Sequence, residues 1–103
     1  MEWQVITVAQ SKEIENVGIK EPASFIWLKT DQEKYGLVQN GGFNDFIHHN
    51  AYNLSEIAIM LGYTFVKSNI KEAADQLIQE IKVGSCTAKD CNERLREAKS
   101  QSF

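Results

Sequence analysis

Long apolar runs are missing from this chain. Its longest uninterrupted apolar stretches are only a few residues, far short of the about 20 that cross a bilayer, so no membrane partner is expected. MEWQVITVAQ does not read as a secretory leader either, because it opens on an acid and has no basic segment before its apolar residues. Cysteine is scarce: Cys86 and Cys91 are the two thiols of the chain. Without an export signal they point to a cytoplasmic protein with reduced thiols. A disulfide between them stays open, and two thiols in a CxxxxC spacing are too few for a structural zinc site. A basic stripe is also absent. Eleven Lys and Arg stand against fourteen Asp and Glu, for a net charge of −3. The pairs Lys67/Lys71 and Arg96/Lys99 sit among acids, so direct nucleic-acid binding is disfavoured. The acidity is mild and does not by itself establish mimicry of DNA.

What is present is ordinary globular composition. With 103 residues, 43% hydrophobic and 24% charged, the chain reads as one domain over residues 1–103 with a single modest core. Trp3 to Ala9 alternates and is rich in β-branched residues, which predicts a strand. Ile14 to Ile19 offers it a hairpin partner, and a short first helix is the competing reading. Pro22 fits the first position of a helix. Phe25, Leu28, Gln32 and Tyr35 follow near helical spacing, which predicts a helix from about Pro22 to Gln39.

The second half has sharper signals. Asn53-Leu-Ser-Glu56 has the form of a capping box. Leu54, Ile57, Ala58 and Leu61 then mark one buried face, and Gly62 suits the left-handed residue that ends a helix. A further helix is predicted from about Phe65 to Lys82, with Val66, Ile70, Ala73, Ala74, Leu77 and Ile81 inward and Gly84 as its stop. Thr87-Ala-Lys-Asp90 opens a last helix with Ala88, Cys91, Leu95 and Ala98 inward. The predicted fold is mainly α, a small bundle of four to five helices, with an N-terminal strand or short hairpin as an option.

The stretch VQNGGFNDFIHHN, Val38 to Asn50, is the most distinctive in the chain. Asn40-Gly41 is a hairpin-turn signal. Phe43, Phe46 and Ile47 nevertheless stand at i, i+3 and i+4, one face of a helix. The preferred reading makes Asn40, Gly41, Gly42 and Phe43 a structural corner between two helices, with those three apolar residues in the core. A phosphate-cradling loop fits less well, because no lysine element follows and Asp45 would repel an anion.

Asn40-Gly41-Gly42-Phe43, then Phe46 and Asn50, then a helix with Ile57, Leu61 and Gly62, resemble a family of small bacterial all-helical domains. The best-known type of that family is a DNA-mimic protein that binds a transcription factor. The resemblance spans about Phe25 to Leu77, and N-G-G-F is its sharp element. It implies a helical fold, a bacterial or phage setting, and a protein partner that itself binds nucleic acid, such as a regulator or a defence nuclease. It brings no active-site residue with it.

Candidate chemistry is thin. Asp45, His48 and His49 would lie within one turn of a helix, and the first and last at i, i+4 could supply a small metal-binding or hydrolytic site. No further ligand pair is visible, and surface histidines near a helix end are the simpler reading. Cys91 falls on an apolar stripe and reads as core, whereas Cys86 lies before a helix and is the more reactive candidate. Neither is paired with a base, so no catalytic residue and no cofactor are read from the sequence. Trp3, Trp27, Tyr52 and Tyr63 could anchor an interface, although such residues more often fill a core. Glu72, Asp75, Glu80, Asp90, Glu93 and Glu97 fall on outer helix faces and could present a phosphate-like array, diluted by Lys71, Lys82, Arg94 and Arg96. The functional expectation is therefore a non-enzymatic protein-binding module of the DNA-mimic kind that inhibits or modulates its partner. A metal-binding or hydrolytic domain and a structural homodimer are the alternatives.

Overall fold

A computed structural model describes residues 5–30, 32–41, 46–62 and 66–100. Along the chain run α1 (Val8–Asn16), β1 (Phe25–Lys29), β2 (Tyr35–Gln39), β3 (His48–Asn50), α2 (Leu54–Leu61), α3 (Ile70–Lys82) and α4 (Ala88–Ser100). This is a mixed α/β domain and not the mainly α bundle that the periodicity predicts.

The correction begins in the first half. Residues 22–39 hold two strands in place of one helix. β1 is central in a three-stranded antiparallel sheet of order β2-β1-β3. It pairs Ile26 with Val38 and Asn50, Trp27 with Leu37 and His49, and Leu28 with Gly36 and His48. FIWLK is aromatic and branched, a side-chain set that suits a pleated surface. Pairing on both edges also satisfies its backbone, which a single amphipathic helix would do internally. Thr30 N–H bonds to the Lys34 carbonyl (2.7 Å) and closes the hairpin between β1 and β2. Glu33 enters left-handed backbone there, with φ 62°. Pro22 is exposed in the loop before β1 and starts no helix.

The predicted N-terminal strand does not run to Ala9, because the chain is helical from Val8. Among the described residues of that segment Val5 makes a bridge to Asn53, and Ile6 N–H donates to the Tyr52 carbonyl (3.0 Å). Thr7 then caps α1. Its hydroxyl accepts from Gln10 N–H (3.1 Å) while the Gln10 amide oxygen accepts from Thr7 N–H (3.2 Å), a reciprocal box that commits the next residues to helix. Ile14 and Ile19, expected on a hairpin strand, are both buried, one on α1 and one in the loop after it.

The predicted capping box of α2 is present on both sides: Glu56 N–H to the Asn53 side chain (2.8 Å) and Asn53 N–H to the Glu56 carboxylate (3.0 Å). Gly62 ends that helix at φ 76°. α3 starts later than its periodicity suggests, because the Asn69 side chain accepts from Lys71 and Glu72 N–H (2.9 and 3.3 Å) and fixes the first turn at Ile70. α4 has Cys91 and Leu95 buried as expected.

The core joins Ile6, Ile14 and Ile19 to Tyr52, to Ile57 and Met60 of α2, to Ala74 and Leu77 of α3, and to Cys91 and Leu95 of α4. α2 packs against both α3 and α4, and α1 packs against β3 and α3. Two polar side chains lock the outer parts onto this core. Gln10 Nε2 donates to the Lys71 carbonyl and to Asp75 (3.0 Å each), which joins α1 to the start of α3. Asn92 Oδ1 accepts from Lys20 and Glu21 N–H (2.9 and 3.1 Å), and its Nδ2 donates to the Gly18 carbonyl (3.1 Å). No described helix is long and apolar enough to cross a membrane.

Candidate functional site

The glycine motif follows a strand, so it is not a corner between two helices. Gly42, Phe43 and Asp45 lie outside the described residues. Asn40 follows β2 and is fastened to the loop before β1, its N–H to the Ser24 carbonyl and its Nδ2 to the Ala23 carbonyl (2.9 Å each). Phe46 and Ile47 do not enter the core as the helical spacing predicts, for they are 57% and 60% exposed. The stretch before His48 leads into β3, where side chains alternate instead of recurring every third or fourth residue.

That alternation separates the two histidines. His48 Nδ1 meets the Phe46 carbonyl (2.9 Å), whereas His49 points at α1, with Nδ1 2.8 and 2.9 Å from the two Glu15 carboxylate oxygens. His48 and His49 thus lie on a strand and not on the helical turn that their spacing predicts, while Asp45 lies outside the described residues. Among the described residues no group of three or more His, Cys, Asp or Glu is placed to hold a metal ion. His49 has a different set of neighbours. Its Nε2 lies 3.5 Å from the Tyr35 hydroxyl, and the Lys12 ammonium stands 5.5 Å from the Tyr35 ring centre. These four residues come from α1, β2 and β3, so no local spacing could have announced them. The arrangement ties the helix to the sheet.

Of the proposed interface aromatics, Trp3 and Tyr63 lie outside the described residues. Tyr52 is buried and its hydroxyl donates to the Glu21 carbonyl. Burial, with Glu56, Glu21 and Glu15 adding negative charge nearby, pushes its phenol well above the ordinary tyrosine range. Trp27 donates its indole N–H to the Ile6 carbonyl (2.9 Å). Both act in holding the fold.

A cleft of about 200 Å³ opens between the loop before β1, α2 and α4, with Ser24, Glu56, Leu95 and Lys99 on its walls. Its buried carboxylate, Glu56, already accepts from two backbone donors, Asn53 N–H and Ser24 N–H (3.0 Å each).

The six acidic candidates divide between two helices. On α3, Glu72, Asp75 and Glu80 spread over an arc of about 140° at 3.6 residues per turn. Asp75 is bonded to Gln10, and Glu80 accepts from Gln76 (3.0 Å). On α4, Asp90, Glu93 and Glu97 stand at i, i+3 and i+7 and are all exposed, a single stripe about 60° wide. The arginines that dilute this stripe in sequence are turned from it. Arg94 donates to the Met60 carbonyl at the end of α2 (2.9 Å), and Arg96 reaches Glu21 (3.4 Å). Among the described residues the three α4 carboxylates enter no ion pair. The sequence groups all six acids as one array; the engagement of Arg94 and Arg96 elsewhere is a tertiary effect.

No family model, no curated protein and no solved structure matches the chain.

Proposed function

We propose that this chain is a non-enzymatic protein-binding module that presents the α4 stripe of Asp90, Glu93 and Glu97 to a basic surface. The observation that carries the reading is the disposition of Arg94 and Arg96. Each is engaged elsewhere in the fold, so three exposed carboxylates share one helix face without a neutralising partner among the described residues. Glu93 and Glu97 stand one turn apart, about 6 Å along the axis, a regular run of negative charge on a rigid support. The partner class is a nucleic-acid-binding protein, whose basic groups otherwise hold phosphates. Complementary charge of this kind sets association rate and salt dependence more than raw affinity.

The test is capture with the immobilised chain, followed by competition. Bound protein is expected to leave with duplex DNA and with salt, and to be lost in the Asp90→Asn, Glu93→Gln, Glu97→Gln triple variant. A partner retained at saturating DNA would overturn mimicry. A partner retained by the triple variant would overturn the stripe, and capture of no protein would overturn the module itself.

A further inference from the structure

The two cysteines meet in space in a way that the acidic stripe does not use. Cys86 lies in the turn between α3 and α4, and Cys91 lies on the first turns of α4. Their sulfurs are 3.1 Å apart. Both backbones are held: Cys86 N–H bonds to the Glu80 carbonyl (3.2 Å) at the end of α3, and Cys91 N–H to the Thr87 carbonyl (3.1 Å). The pair is asymmetric. Cys91 is fully buried, whereas Cys86 is half-buried and borders the exposed residues Ser85 and Thr87. The Arg94 guanidinium stands 4.0 Å from the Cys86 sulfur. The same guanidinium and the Cys91 thiol converge on the Met60 carbonyl in the last turn of α2 (2.9 and 3.4 Å).

We infer that Cys86 and Cys91 are a redox-active dithiol that closes to an intramolecular disulfide when the chain meets a low-molecular-weight disulfide. In the first step the Cys86 thiolate attacks one sulfur of the oxidant and expels one thiolate, leaving a mixed disulfide. In the second step Cys91, after losing its proton to solvent, attacks the Cys86 sulfur and expels the other thiolate. The two protein thiols lose two electrons and two protons, and the oxidant is reduced to two thiols. The order follows from access, since the half-buried sulfur is the one an external disulfide can reach. Burial and the adjoining Cys86 sulfur push the Cys91 thiol upward, which suits a partner that reacts only within the protein. Closure needs the sulfurs to approach by about 1 Å, to the roughly 2.05 Å of a disulfide. It takes the Cys91 S–H from the Met60 carbonyl and ties the turn after α3 directly to α4.

The test is equilibration of the native chain, and of the chain unfolded in urea, in buffers of reduced and oxidised glutathione, with acid quenching and peptide mapping. The Cys86–Cys91 disulfide is expected to form in the native chain with an equilibrium constant at least about tenfold above that of the unfolded chain. Equal constants would overturn the inference. So would a native end product in which glutathione stays on Cys86 while Cys91 remains a thiol. In a folded Cys86→Ser variant, Cys91 is expected to resist glutathione disulfide as a buried thiol does, and rapid reaction there would overturn the assigned order. The wild-type comparison decides the matter even if that variant does not fold.

Discussion

The Glu15 carboxylate holds His49 Nδ1 with both of its oxygens, at 2.8 and 2.9 Å, and so joins α1 to the edge strand β3. A carboxylate at this nitrogen selects the tautomer with a proton on Nδ1 and leaves Nε2 to face the Tyr35 hydroxyl. In nitrogen-15 NMR of the neutral ring, Nδ1–H is therefore expected as the major form, and a dominant Nε2–H tautomer would contradict the contact. Glu15 is about a third exposed, with a side-chain accessibility of 36%, so solvent replaces much of what the bond supplies. Glu15→Ala should cost about 1 kcal/mol in urea unfolding.

Glu56 serves as a backbone acceptor in two directions. It is only 6% exposed, and it receives N–H groups from the α2 cap and from Ser24 before β1. Glu56→Ala leaves both donors without it and should destabilise the fold by about 2–4 kcal/mol. Glu56→Gln keeps one good acceptor and should lose roughly half as much. Equal losses in the two variants would mean that the side chain acts by packing and not by accepting.

Asn92 stands in for a strand partner to the loop after α1. Asn92→Ala removes three bonds to Gly18, Lys20 and Glu21, and a loss of about 2–3 kcal/mol is expected because the loop is partly solvated. Asn92→Asp preserves both acceptor contacts and should be the milder change. Hydrogen exchange gives an independent reading: the Lys20 and Glu21 amides should lose protection in the alanine variant while α2 amides keep theirs in proportion to global stability.

Tyr52 sets an alkaline limit. Its phenol is raised in the folded chain above the unfolded value near 10, so between those two values the unfolded chain has released a proton that the native chain still holds. Stability from this group is complete below about pH 10 and falls as the pH climbs through the folded value. Tyr52→Phe should flatten the alkaline limb of a stability profile while costing about 1 kcal/mol at pH 7 for the lost bond to Glu21. An unchanged alkaline limb in the variant would assign that limb to other groups.

The helices of the second half were legible because their determinants are local. Asn53 with Glu56 begins α2 and Gly62 ends it; Lys82 and Gly84 mark the end of α3; Ala88, Cys91 and Leu95 mark the buried side of α4. α1 carried an equally local signal in Thr7 and Gln10. A short first helix is the competing reading there, and the β-branched alternation of Trp3 to Ala9, which overlaps the cap, favours a strand over it. The sheet was hidden for a different reason. Phe25, Leu28, Gln32 and Tyr35 fit a helical stripe, although Gln32 lies in the turn and the others on two strands, and a strand is stabilised by partners distant in sequence. The turn gave no warning either, since Glu33 is not a residue type that announces left-handed backbone. The helical period that places Phe46 and Ile47 inward is one that β3 does not follow.

By itself the sequence determined the cap and stop of α2, the stop of α3, the start of α4, and the spacing of Asp90, Glu93 and Glu97, because each depends on residues within about two turns of one another. Tertiary structure decided the rest. It chose strands over helix for residues 25–39 by supplying β3 as a second edge for β1. It set His49 against Glu15 and Tyr35, and turned Arg94 and Arg96 away from the acidic stripe. It also brought the sulfurs of Cys86 and Cys91 to 3.1 Å. Each of these rests on a contact between separate elements, and periodicity along one element carries no information about which element it will meet.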